Sequence, residues 1–93
     1  MDDDPSIFTM IIEGSIPSHK IYEDGEVIAF LDINPFSYGH TLVVPKEPAR
    51  TLDKLSEESA EALGRVLPKI SKAILEATGA EEFNVLQNNG PNA

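Results

Sequence analysis

Two periodicities divide the chain. Between Lys20 and Pro45 the apolar residues come in short blocks of strand-forming types: Lys20-Ile21-Tyr22-Glu23, Glu26-Val27-Ile28-Ala29-Phe30-Leu31-Asp32 and His40-Thr41-Leu42-Val43-Val44-Pro45. Between Ser56 and Gly79 they recur every three or four positions, at Ala60, Leu63, Leu67, Ile70, Ile74 and Ala77, widened by Val66. The first pattern predicts strands, the second one long helix with a narrow apolar stripe that packs on a sheet. Asp24-Gly25 predicts a type I′ hairpin turn between the first two strands, since both central residues of that turn need positive φ. The second strand is apolar almost throughout, which predicts cover on both faces.

The flanks follow from capping and turn chemistry. Residues 4–14 read as a short helix, with Asp4 as cap, Pro5 at the first position and Gly14 as the stop. Its face of Ile7, Phe8, Ile11 and Ile12 either plugs one end of the core or lines a pocket. Residues 34–39 form a loop by composition. Ser56 caps the long helix, with Glu57 and Glu58 at the positive end of its dipole, and Thr78-Gly79 ends it. Pro68 presses on the carbonyl of Gly64, which predicts a tolerated kink rather than a break. Glu82 to Asn88 alternate as a last strand, and Asn89-Gly90-Pro91-Asn92-Ala93 has the chemistry of a turn. With no strand after that turn, an edge is left unpaired. The expectation is a second copy pairing there, or a segment that follows and is absent.

Size and charge narrow the possible functions. Ninety-three residues, 41% hydrophobic, make a single domain spanning 1–93. A chain this short buries only about 60–65% of its unfolded surface, so a partner subunit would help. Sixteen acidic residues against seven basic give a net charge of −9. That argues against nucleic acid or an anionic membrane as the main partner, because both require a basic face. No apolar run approaches the about 18 residues of a membrane span, and no secretory leader is evident, so a cytoplasmic protein is expected. The absence of cysteine rules out disulfides and thiolate metal sites.

The candidate chemistry is sparse. Asp32 closes an apolar strand, where a buried carboxylate is costly unless something pairs with it. It therefore caps the turn at Asn34-Pro35, faces water, or holds a ligand. His40 reads as a structural histidine bonding the loop backbone, because no acid or nucleophile is locally placed to work with it; His19 reads as solvated. Asn88, Asn89, Gly90 and Asn92 make either an ordinary turn or a phosphate cradle of amides and backbone N–H groups. No Walker or Rossmann glycine pattern and no metal-spaced histidine pair is present.

Taken together, Ile7-Phe8 to Ile11-Ile12, Ile16-Pro17, Tyr22-Glu23-Asp24, the run Ala29 to Pro35, the run Gly39 to Lys46 and Asn88-Asn89-Gly90 resemble the histidine-triad (HIT) superfamily. The likeness is to its nucleotide-binding branch, which hydrolyses purine nucleoside phosphoramidates and dinucleoside polyphosphates. It covers essentially the whole chain, and Phe30 to Lys46 is its specific part. The resemblance implies an α+β domain: an antiparallel sheet backed by the long helix, with a short N-terminal helix, forming a homodimer. It also implies a purine-nucleotide site in which Ile7, Phe8, Ile11, Ile16 and Phe30 wall the base. Asp32 would accept the ribose hydroxyls, with Ile33 against the sugar and Asn88 toward the phosphates.

The departures are as informative. The family's His-x-His-x-His-x-x strand, whose middle histidine is the nucleophile, should begin several residues after Ala93 and is absent. No catalytic residue is therefore assigned, and the 93-residue chain is expected to be inactive alone. Two readings stand: the binding domain of a hydrolase lacking its catalytic tail, or a non-catalytic nucleotide-binding or dimerising module that ends naturally at residue 93. Family members with zinc carry Cys-x-x-Cys in the first helix. Here Ser6 and Thr9 occupy those positions, and the usual histidine is replaced near Glu47-Pro48, so neither structural zinc nor a cofactor is expected.

Overall fold

The structure, a computed structural model, describes residues 19–32 and 39–93. The expected N-terminal helix, with Ile7, Phe8, Ile11 and Ile16, lies outside the described residues, as do Ser6, Thr9, Ile33 and most of the 34–39 loop. The described residues form a meander of three antiparallel strands, β1 (Lys20–Glu23), β2 (Val27–Leu31) and β3 (Thr41–Pro45), in the order β1-β2-β3. A 3-10 turn, Leu52–Lys54, leads to one long helix, α1 (Glu57–Thr78). The architecture is the expected α+β arrangement of an antiparallel sheet backed by a helix.

The hairpin between β1 and β2 forms, but its turn is not type I′. Neither Asp24 nor Gly25 has positive φ. The Asp24 side chain builds the turn instead: Oδ1 accepts from the backbone N–H of Glu26 at 2.7 Å and of Val27 at 2.8 Å. An aspartate that bonds the backbone ahead of it imitates a backbone turn without left-handed φ. The other oxygen accepts from the Tyr22 hydroxyl at 2.7 Å. These bonds, the Tyr22 one foremost, favour the charged carboxylate and lower its pKa to about 2. The same contact raises the Tyr22 pKa.

β2 is central and covered on both faces, as its composition requires. In the β2–β3 register Val27, Ala29 and Leu31 oppose Pro45, Val43 and Thr41, while Ile28 and Phe30 oppose Val44 and Leu42. Alternation sends these two sets to opposite faces of the sheet. Val27 and Ala29 meet Ala62, Val66 and Ile70 of α1, flanked by Tyr22, Val43, Leu63 and Ile74. Ile28 and Phe30, on the other face, are also buried.

The helix begins and ends where its caps say. Ser56 Oγ accepts from the Ser59 N–H at 3.1 Å, satisfying one of the donors a helix start leaves open. Glu47 Oε1 accepts from the Ser56 N–H at 2.8 Å, and that bond lowers the Glu47 pKa. Gly79, at φ 74°, closes the last turn by donating to the Leu75 carbonyl. Pro68 lies inside α1 without ending it.

Two expectations need correction. The buried stripe of α1 is Ala62, Val66 and Ile70 with Ser59, not the row through Ala60, Leu67 and Ala77; Ala60 and Ala77 are exposed and Leu67 is only half-buried. Alanine is so good a helix former that its presence says little about which way it faces. Residues 82–88 form no strand, and every residue from Gly79 to Ala93 is exposed. An alternating sequence supplies a side-chain pattern, whereas a strand also needs a ladder of hydrogen bonds, and no described strand pairs with this segment. The turn at its end does form, with the Ala93 N–H donating to the Gly90 carbonyl at 3.3 Å.

Candidate functional site

The site is built where β2 and β3 run out. Beyond the last ladder pair, Leu31 with Thr41, the Asp32 N–H donates to the His40 carbonyl at 3.0 Å, so the two backbones stay joined for one more residue. Alternation places Asp32 on the face of Ile28 and Phe30, and His40 on the face of Leu42 and Val44. That face thus carries three cross-strand pairs in a row, Ile28 with Val44, Phe30 with Leu42, and Asp32 with His40. The first two are apolar and the last is polar.

The Asp32 and His40 side chains are 21% and 23% exposed, and His40 Nε2 lies 3.7 Å from Asp32 Oδ2. A carboxylate held largely out of water needs charge or donors nearby. The imidazole stands at the right place to contribute. This corrects the expectation that no acid lies beside His40. The proximity was hidden because seven residues of sequence separate the two, and only the strand register brings them opposite each other.

Gly39 sets where His40 begins. It has φ 84°, and a Cβ there would come within 2.9 Å of the Thr78 Cγ2 methyl and 3.3 Å of the Ile74 Cγ2 methyl. Glycine alone fits both the left-handed backbone and the close approach to α1. Thr41 Oγ1 donates to the Gly39 carbonyl at 2.9 Å, tightening the entry into β3. At the far end of β3, Lys46 Nζ reaches Glu23 at 2.7 Å, and Lys20 reaches the same carboxylate at 3.0 Å. These two lysines, Lys46 first, lower the Glu23 pKa.

Of the expected binding residues, Phe30 is buried two positions before Asp32 on the same face. Asn88 is exposed in the segment after α1. Its neighbour Asn89 has a different role: its Oδ1 accepts from the Leu52 N–H at 2.8 Å and ties the tail to the 3-10 turn. Ile7, Phe8, Ile11, Ile16 and Ile33 lie outside the described residues. Two apolar hollows occur elsewhere. One, of about 350 Å³, lies between the end of the sheet and α1 and is lined by Leu31, Thr41, Ile74 and Thr78 among others. The other, of about 610 Å³, is an open groove along α1 between Leu67, Leu75 and Phe83. Neither is lined by Asp32 or His40. Among the described residues no three metal-ligating side chains converge.

The HIT domain model matches residues 13–93. The chain belongs to the HIT family. It is 48% identical over 84 residues to the adenosine 5′-monophosphoramidase hnt1 of Schizosaccharomyces pombe, covering 90% of this chain and 60% of that protein. It is 43% identical over 84 residues to the adenylylsulfatase HINT3 of Arabidopsis thaliana, covering 90% of this chain and 43% of that one. Its fold superposes on a HIT family protein from Bacillus anthracis with a TM-score of 0.90 at 45% identity, over 94% of this chain and 62% of the other. This HIT chain therefore spans only about half the length of these relatives.

Proposed function

We propose that the chain is the nucleotide-binding part of a HIT hydrolase, acting on purine nucleoside phosphoramidates or dinucleoside polyphosphates. The observation that carries this reading is the half-buried Asp32 at the open end of an apolar row, beside the buried Phe30. A carboxylate can accept both vicinal hydroxyls of a ribose through charge-assisted hydrogen bonds, while an aromatic and aliphatic wall takes the base. In this reading Ile7, Phe8, Ile11 and Ile16 belong to that wall with Phe30, Ile33 to the sugar and Asn88 to the phosphate end. The similarity to an adenosine 5′-monophosphoramidase supports an adenylyl-type substrate.

In the proposed reaction a histidine attacks the α-phosphorus, the bond to the leaving nitrogen or phosphate oxygen breaks, and the leaving group takes up a proton. Water then cleaves the nucleotidyl-histidine to release the nucleoside monophosphate. The chain has only two histidines, His19 and His40, and neither is assigned as nucleophile. In this reading the 93 residues by themselves bind nucleotide weakly and supply no nucleophile for the reaction. The exposed Phe83, Val85 and Leu86 support a homodimer that covers them; a cytoplasmic location belongs to the same reading, and the net charge of −9 speaks against a nucleic-acid partner.

Titration calorimetry with adenosine 5′-monophosphate tests the site. Asp32→Ala should weaken binding by about 1–3 kcal/mol, the range for hydrogen bonds to a charged group. Equal affinity in wild type and variant would remove Asp32 from the site.

A further inference from the structure

We propose that His40 is a positioning residue for Asp32, and that the discrimination of ribose from deoxyribose depends on it. The inference rests on the ribose reading of Asp32 given above. Asp32 and His40 form the polar end of a cross-strand row whose other members are hydrocarbon. Their backbones are joined by the 3.0 Å bond from the Asp32 N–H to the His40 carbonyl, so the two side chains leave the sheet side by side. His40 Nε2 approaches one carboxylate oxygen, Oδ2, at 3.7 Å.

A carboxylate at a strand end can rotate about its side-chain bonds, and each rotamer aims its lone pairs differently. Recognition of a diol needs one orientation held in advance. An imidazole beside Oδ2 biases the carboxylate toward that orientation by attraction to that oxygen. The start of β3 is itself placed by Gly39, which has φ 84° and lies so near α1 that a Cβ there would meet the Thr78 and Ile74 methyls. The chain of support therefore runs from helix to glycine, from glycine to histidine, and from histidine to the ribose-binding acid.

The test compares adenosine 5′-monophosphate with its 2′-deoxy analogue by titration calorimetry on the full-length protein. Asp32→Asn examines the ribose reading by itself and should abolish the preference for the ribonucleotide. His40→Leu, which fills similar space without a polar nitrogen, should reduce that preference roughly tenfold. His40→Gln, whose amide nitrogen falls near the position of Nε2, should restore most of it. Full preference in His40→Leu, with loss in Asp32→Asn, overturns the positioning role and leaves the ribose reading intact. Equal loss in the leucine and glutamine variants also overturns it, since a nitrogen at that position would then be irrelevant. Unchanged preference in Asp32→Asn overturns both ideas.

A second measurement needs no variant and covers the case in which His40→Leu does not fold. The His40 ring-nitrogen resonances should shift on saturation with the ribonucleotide and shift much less with the 2′-deoxy analogue. Identical shifts with both ligands would overturn the proposal.

Discussion

β2 and the 82–88 segment are built from the same kinds of residue and meet opposite fates. Val27, Ile28, Ala29 and Phe30 are at most 3% exposed, whereas Phe83, Val85 and Leu86 are 53%, 64% and 78% exposed. β2 has a neighbour on each edge and cover on each face, so its backbone groups are paired and its side chains dry. The 82–88 segment has no strand ladder among the described residues, and only Phe83 of its large apolar side chains lies along α1; just past it, the Asn89 side chain bonds the Leu52 N–H. Apolar content thus stabilises a strand only where the topology supplies partners for the backbone, and elsewhere it leaves a greasy surface.

The contrast can be broken most directly in β2. Ile28→Ala should lower the free energy of unfolding by about 2–5 kcal/mol, the usual range for a truncated core aliphatic, read as a lower urea midpoint at constant slope. A loss below about 1 kcal/mol would mean that the far face of the sheet is not a packed interior. Gly39→Ala should cost about 1–3 kcal/mol, because it combines unfavourable φ with a methyl 2.9 Å from Thr78. Near-wild-type melting of this variant would show that β3 can enter the sheet by another route.

A smaller effect is expected from acid. The Asp24 pKa is 3.8 for the free group and about 2 in the fold. Its contribution is therefore fully present above pH 3.8 and is lost as the pH falls through about 2. Thermal melts across that window should decline in the wild type and decline less in Asp24→Asn, since only the former loses a charged turn. Identical pH profiles would remove the carboxylate from the hairpin's stability. Smallest of all, Val85→Ser should change the stability of the monomeric chain by less than about 0.5 kcal/mol, as for an exposed position. A larger loss that depends on protein concentration would show that a second copy covers the segment.

Much of the architecture was readable in advance because it rests on local chemistry. Ser56, Gly79, the first-turn glutamates and the apolar runs of β2 and β3 each act within a few residues of themselves. The hairpin was readable too, although its turn type was not: Asp-Gly permits two solutions, and contacts with Tyr22, Glu26 and Val27 selected the one without positive φ. Of the α1 stripe, Leu63, Val66, Ile70 and Ile74 do face the core, whereas Ala60 and Ala77 do not. Only the sheet's position decides whether Ala62 or Ala60 faces inward.

The candidate site divides along the same line. Asp32 stood out as an acid at the end of an apolar strand, and the family resemblance named what it would hold. His40 beside it did not stand out, because their proximity depends on the register of two strands and on a glycine pressed against a distant helix turn.

What the sequence alone determined was therefore the β1–β2–β3 blocks, the long helix with its caps, and the family, all of which follow from the preferences of short stretches of chain. What the tertiary structure decided was which apolar stretch becomes a strand, which face of α1 is buried, and which side chain stands beside Asp32. Those outcomes depend on hydrogen-bond partners and packing contacts between residues far apart in the chain, and no local preference encodes them.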